Sequence, residues 1–184
     1  MIKKLTRVFC SLILILFIFI LTGGFCRTLF PTRYQSLVRG SCSRYNVSNA
    51  LVFSLMKAES NFDEKSVSHA GAKGLMQLTD QTYAYCMDSS GTDTLPDIFS
   101  PENNIDAGVW YLSHLLERYD GNTENAVAAY NAGATNVDKW LKDNRYSTDG
   151  KTLSSIPFGE TKRHVEKIRR YTLIYKILYP DIEG

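Results

Sequence analysis

Apolar positions along most of the chain recur at helical spacing and seldom alternate. After Ser48, residues Val52, Leu55, Met56 and Glu59 fall at i, i+3, i+4 and i+7, so the pattern predicts a helix capped by Ser48. That capping role also accounts for the sequon-like Asn46-Val47-Ser48. Ser100 followed by Pro101 has the form of an N-cap with proline at the first helical position, and Ile105, Val109, Leu112, Leu116 and Tyr119 continue as one stripe. Thr123 to Ala132 is alanine-rich and stops at Gly133, a natural C-cap. From about Glu160, residues Val165, Ile168, Thr172, Tyr175 and Tyr179 mark one face of a last helix, which Pro180 ends. Strand signals are nearly absent: no sustained period-2 run and no Asn-Gly turn between alternating segments. Residues 88–99 and 145–158 are rich in Gly, Ser, Thr and Asp and read as surface loops. The pattern is that of one mainly α-helical domain.

The first 27 residues follow a different rule. A basic head, Lys3, Lys4 and Arg7, precedes an apolar run from Val8 to Leu21 broken only by Cys10 and Ser11. The stretch from Val8 to Cys26 carries no charge and, as a helix, reaches about 28 Å, close to the thickness of a bilayer core. Residues 1–27 are therefore expected to be a transmembrane signal anchor or a cleaved signal peptide. Thr22 and Gly24 are small enough for a cleavage site, but there is no Ala-x-Ala. A lipoprotein reading fits poorly, because Phe25 precedes Cys26. The basic head stays cytoplasmic under either remaining reading, which puts the rest of the chain outside the membrane. Residues 28–46 are expected to be a linker and entry segment, and 47–184 the folded domain.

Composition then narrows the function. The 184 residues hold 44% hydrophobic and 22% charged positions, ordinary for a chain that buries a core. The formal charge of +2 comes from the head: from Thr28 onward, 17 basic residues face 19 acidic ones. A folded part with net −2 argues against nucleic acid as a partner. Cys42 and Cys86 are the cysteines of the folded part; export permits a disulfide between them, and two ordinary thiols are the plainer expectation. No cysteine and histidine spacing suggests a metal, and no cofactor is expected.

Glu59 is the residue that points to chemistry. It continues the apolar stripe at the C-terminal end of its helix, where burial and the negative end of the helix dipole both disfavour a carboxylate. Both raise its pKa, which suits a general acid near neutral pH. Periodicity alone also fits a structural glutamate satisfied by hydrogen bonds or a cation. The stretch Ser66 to Gln77, with Gly71 and Gly74 among short polar residues, could bring backbone close to a ligand, and Gln77 could orient a sugar amide or hydroxyl. Tyr130 and Asn131 put a phenol and an amide beside a helix end.

Taken in order, several segments resemble the bacterial lytic transglycosylases of the soluble, lysozyme-like type, over roughly residues 47–179. They are Glu59-Ser60; Gly71-Ala72-Lys73-Gly74-Leu75-Met76-Gln77; Asn104-Ile105 with Gly108 and Tyr111-Leu112; Ala129-Tyr130-Asn131-Ala132-Gly133; and Glu160-Thr161. The chain departs from the family at Asp63-Glu64, Asp80 and Ala134, where prolines are frequent, which bears on loop rigidity rather than on reacting groups. The resemblance implies a lysozyme-like helical fold acting on peptidoglycan at the β-1,4 bond between N-acetylmuramic acid and N-acetylglucosamine. It implies Glu59 as the single acid and base, and Ser68 and Gln77 at the muramyl N-acetyl region with Met76 in the same wall. Tyr130 would hydrogen-bond the catalytic carboxylate, Asn131 would line the site, and Glu160 would lie near the sugar or its stem peptide. It implies a 1,6-anhydromuramyl product formed without water or metal. Two rivals are a goose-type lysozyme, needing a second carboxylate such as Asp63, and a non-catalytic peptidoglycan-binding module.

Overall fold

A computed structural model describes residues 24–88 and 95–183. Seven named helices carry the fold: α1 (Gln35–Tyr45), α2 (Asn49–Glu59), α3 (Asp80–Asp88), α4 (Pro101–Arg118), α5 (Thr123–Ala132), α6 (Ala134–Leu141) and α7 (Gly159–Leu178). α2 is the hub, packing against α1 and, most extensively, α7, while α5 bridges α4, α6 and α7. Residues 49–56 are all buried, so α2 is covered on every side, as a core helix must be. The expected stripes face inward: Ile105, Val109 and Leu112 on α4, and Val165, Ile168 and Tyr175 on α7, are buried. The bridging contacts among the described residues are two isolated ones, Val67 with Lys73 and Lys73 with Leu78, both within one loop.

α2 is capped at its start as expected, and by more than one group. The Ser48 hydroxyl accepts from the Leu51 N–H at 3.3 Å. The Glu183 carboxylate accepts from the Ser48 hydroxyl at 2.6 Å and from the Asn49 N–H at 2.9 Å. An anion at that end suits the helix dipole.

The stretch 28–46, expected to be a linker and entry segment, packs against the helices that follow it. Phe30 sets its ring edge-on to Tyr171 and Tyr175, and the Pro31 and Phe30 carbonyls accept from the Tyr175 and Tyr179 hydroxyls at 2.9 and 2.8 Å. Within α1, the Ser41 hydroxyl and the Arg44 guanidinium donate to Asp106 on α4 at 2.7 and 2.6 Å, and the Tyr45 hydroxyl donates to the same carboxylate at 3.0 Å. α3 and α6 are further helices that periodicity left unmarked. Of the proposed membrane segment, residues 1–23 lie outside the described residues; among those described, no helix is long and apolar enough to cross a membrane. Cys42 and Cys86 are free thiols in separate core clusters, each pushed up to about 12 by burial.

Asn104 locks the loop after α2 to α4. Fully buried, its carbonyl accepts from the Met76 N–H at 2.8 Å, and its amide donates to the Ile98 and Lys73 carbonyls at 2.9 and 3.1 Å. Asn104→Ala removes this partner from the buried Met76 N–H and the Ile98 carbonyl, while the Lys73 carbonyl keeps the Leu78 N–H, and is expected to destabilise the fold by about 2 kcal/mol in urea unfolding. A change below about 0.5 kcal/mol would show that other partners take over those groups.

Candidate active site

Glu59 is the last residue of α2, and its side chain is 16% exposed. The next residue fixes the chain's exit from the helix. Ser60 is buried and donates its hydroxyl to the Leu75 carbonyl at 2.8 Å, so the loop of residues 66–78 is tied to the end of α2 beside the carboxylate. Burial raises the Glu59 carboxyl from 4.5 to about 7, opposed by the positive charge of Lys167 on α7.

The loop itself is held from inside. The Ser68 hydroxyl accepts from the Ala72 N–H at 3.0 Å and closes its own turn. Met76 is fully buried, so it builds the wall rather than lining an open surface. Gly108 lets α4 approach it: a Cβ there would come 2.5 Å from the Met76 sulfur. Gln77 sits at φ 49°, in the left-handed region, a strain of about 1–3 kcal/mol for a non-glycine residue. Its amide nitrogen donates to the Gly74 and Ser66 carbonyls at 2.9 and 3.2 Å, which turns the expected sugar-orienting amide back into the loop.

Tyr130 on α5 donates its hydroxyl to the Met76 carbonyl at 2.8 Å, where the resemblance implied a bond to the carboxylate. Burial first and the Glu59 charge second hold its phenol well above the ordinary range. Tyr130 thus reaches the carboxylate's surroundings by way of the loop. Asn131 is exposed, and its carbonyl accepts from the Thr161 hydroxyl at 2.7 Å, joining the end of α5 to the start of α7. Glu160 is exposed in the first turn of α7, where the helix dipole favours an anion.

The family model for the transglycosylase SLT domain matches residues 36–153. The chain belongs to the SLT transglycosylase family.

This SLT domain is 33% identical over 159 residues to a membrane-bound lytic murein transglycosylase C of Yersinia pestis, covering 74% of this chain and 44% of that protein. It matches the lytic transglycosylase Slt of Pseudomonas aeruginosa, solved as an inactive glutamate-to-glutamine mutant, at 30% identity and TM-score 0.71, covering 80% of this chain and 24% of the other. The 70 kDa soluble lytic transglycosylase of Escherichia coli shares the fold, with 24% identity and TM-score 0.74 over 86% of this chain and 27% of the other. The chain spans only a quarter to under half the length of such relatives.

One residue of the SLT domain's site had drawn no notice in the sequence. His164 on α7 places Nε2 3.3 Å from Glu59 Oε1, with its side chain 10% exposed. The distance is that of an ion pair, yet burial, helped by the charge of Lys167, lowers the imidazole from 6.5 to about 4. Near pH 7 the ring is neutral, so this is an acid–imidazole contact and not a salt bridge. The available signal was position: Thr161, His164 and Ile168 fall at i, i+3 and i+7 on the buried face of α7. The two acids nearest Glu59 in sequence are engaged elsewhere. Asp63 is exposed and accepts from the Lys65 N–H at 3.0 Å, and Glu64 accepts from the Tyr34 hydroxyl at 3.0 Å.

The raised pKa makes Glu59 a liability to the fold. Between about pH 4.5 and 7 the folded state keeps a proton that the unfolded chain releases, so this contribution to stability is full below about 4.5 and lost as pH rises through about 7. Glu59→Gln is therefore expected to stabilise the domain by about 3 kcal/mol at pH 8 and by under about 1 kcal/mol at pH 5, read from denaturant unfolding. A destabilised variant at pH 8 would contradict the burial of an uncompensated carboxyl.

Proposed function

We propose that this SLT domain is a peptidoglycan lytic transglycosylase that cleaves the β-1,4 bond between N-acetylmuramic acid and N-acetylglucosamine without water, with Glu59 as acid and then base. The observation that carries this reading is the buried Glu59 carboxyl, raised to about 7 at the wall of a loop strained at Gln77. A group poised there is protonated often enough to give a proton and ionised often enough to take one back. Glu59 protonates the glycosidic oxygen as the bond breaks, while the muramyl 2-acetamido carbonyl stabilises the developing cation. The resulting carboxylate then removes the proton of the sugar's C6 hydroxyl, and that oxygen closes on C1 to leave a 1,6-anhydromuramyl end. The proton returns to Glu59, so the cycle balances with no co-reactant.

The engagement of Asp63 and Glu64 by other groups supports a single-acid scheme over a two-carboxylate hydrolase. Ser68, Gln77, Tyr130 and Asn131 serve it by holding the walls in place, with Met76 packed behind them and Glu160, exposed at the start of α7, assigned to the sugar or its stem peptide. The working site is extracytoplasmic, with residues 1–27 as the membrane anchor or export signal. Its partner there is the glycan strand.

The test is release of muropeptides from purified peptidoglycan, read by mass spectrometry. Products one water lighter than reducing muropeptides are expected, reduced at least about a hundredfold by Glu59→Gln. Reducing ends would make the protein a lysozyme, and binding without turnover in a well-folded domain would make it a binding module.

A further inference from the structure

We infer that His164 is the positioning residue of Glu59: its neutral Nε2 accepts the hydrogen bond of the protonated Glu59 carboxyl and holds that acid for proton delivery. The inference rests on the reading of Glu59 as the acid.

Nε2 of His164 is buried and makes no hydrogen bond among the described residues, although Glu59 Oε1 lies 3.3 Å away. A buried ring nitrogen without a partner is unfavourable, and so is a buried carboxyl O–H. A hydrogen bond between the two would satisfy both, and catalytic contacts are commonly loose before substrate binds. Direction follows from protonation. Both groups are driven to their neutral forms, so the acid has an O–H to give and the imidazole has a lone pair to accept it.

Lys167 on α7 acts on both groups: it disfavours a charged imidazole, and it favours the Glu59 carboxylate, against a larger effect of burial that keeps the proton on the acid. From α5, the Tyr130 hydroxyl is committed to the Met76 carbonyl and so does not compete for the lone pair. From α2 the group is Glu59 itself. The packing of α7 along α2 sets the spacing, and the Thr161 bond to Asn131 fixes the start of α7 one turn before His164.

The experiment uses the full chain and two readouts. The first needs no turnover: nitrogen-15 NMR of the imidazole at pH 5.5, above the His164 and below the Glu59 titration. Nε2 is expected to be unprotonated, with the hydrogen on Nδ1; a protonated Nε2 overturns the inference. The second compares His164→Phe with His164→Gln, whose amide can still accept, in muropeptide release across pH. His164→Phe is expected to lower kcat about tenfold or more with KM within about twofold. Its high-pH limit of activity is expected to move down by about one unit, because the acid form loses its acceptor. His164→Gln is expected to restore most of kcat. Unchanged kcat and pH profile in His164→Phe overturns the inference, as does equal damage in both variants with folding intact. If the wild type releases no anhydro product while Nε2 proves the acceptor, the functional reading fails and the pairing of His164 with Glu59 stands.

Discussion

The fold is organised around one carboxyl group buried at the C-terminal end of a core helix. α2 is covered along its length by α1, α7 and the loop after it, so Glu59 cannot turn its side chain fully to water. The opposite end of the helix shows the contrast. There Glu183 meets free backbone N–H groups and the positive end of the dipole, whereas Glu59 meets the negative end and a neutral imidazole. Two glutamates at the two ends of one helix thus have opposite electrostatics. A cavity of about 530 Å³ opens beside Glu183, roughly 16 Å from the Glu59 end, and plays no part in the chemistry proposed here.

Keeping such a group useful requires rigid walls. The loop of residues 66–78 closes its own turns, and neighbouring elements tie it to the helices: Ser60 from the end of α2, Asn104 and Gly108 from α4, and Tyr130 from α5. These converge on Gly74 to Met76, and the cost of that fixation shows at Gln77, whose backbone is held left-handed. Residues that resemblance placed at the carboxylate or the muramyl N-acetyl region are themselves tied to this loop. Tyr130 and Gln77 bind loop carbonyls, and Met76 is buried against α4.

Helices whose faces are apolar were legible in the sequence, because periodicity reports burial directly. α2, α4, α5 and α7 have such faces, and Ser48 and Gly133 mark ends as their chemistry requires. α1 was not legible, because its attachment is polar: Ser41, Arg44 and Tyr45 gather on Asp106, some sixty residues away in sequence. α6 was hidden by Gly133, which ends α5 and begins α6 with no intervening loop. Glu59 stood out as a carboxylate in an apolar stripe. His164 did not, since a histidine on a buried helical face announces no partner until α7 is docked on α2.

The central claim is that burial by the fold moves the titration of Glu59 up to near neutral pH. Carbon-13 NMR titration of the side-chain carboxyl groups in the wild-type protein, with the Glu59 signal identified through Glu59→Gln, measures this directly. A midpoint near 7 is expected. A midpoint below about 5, in the range of an exposed glutamate, would contradict it.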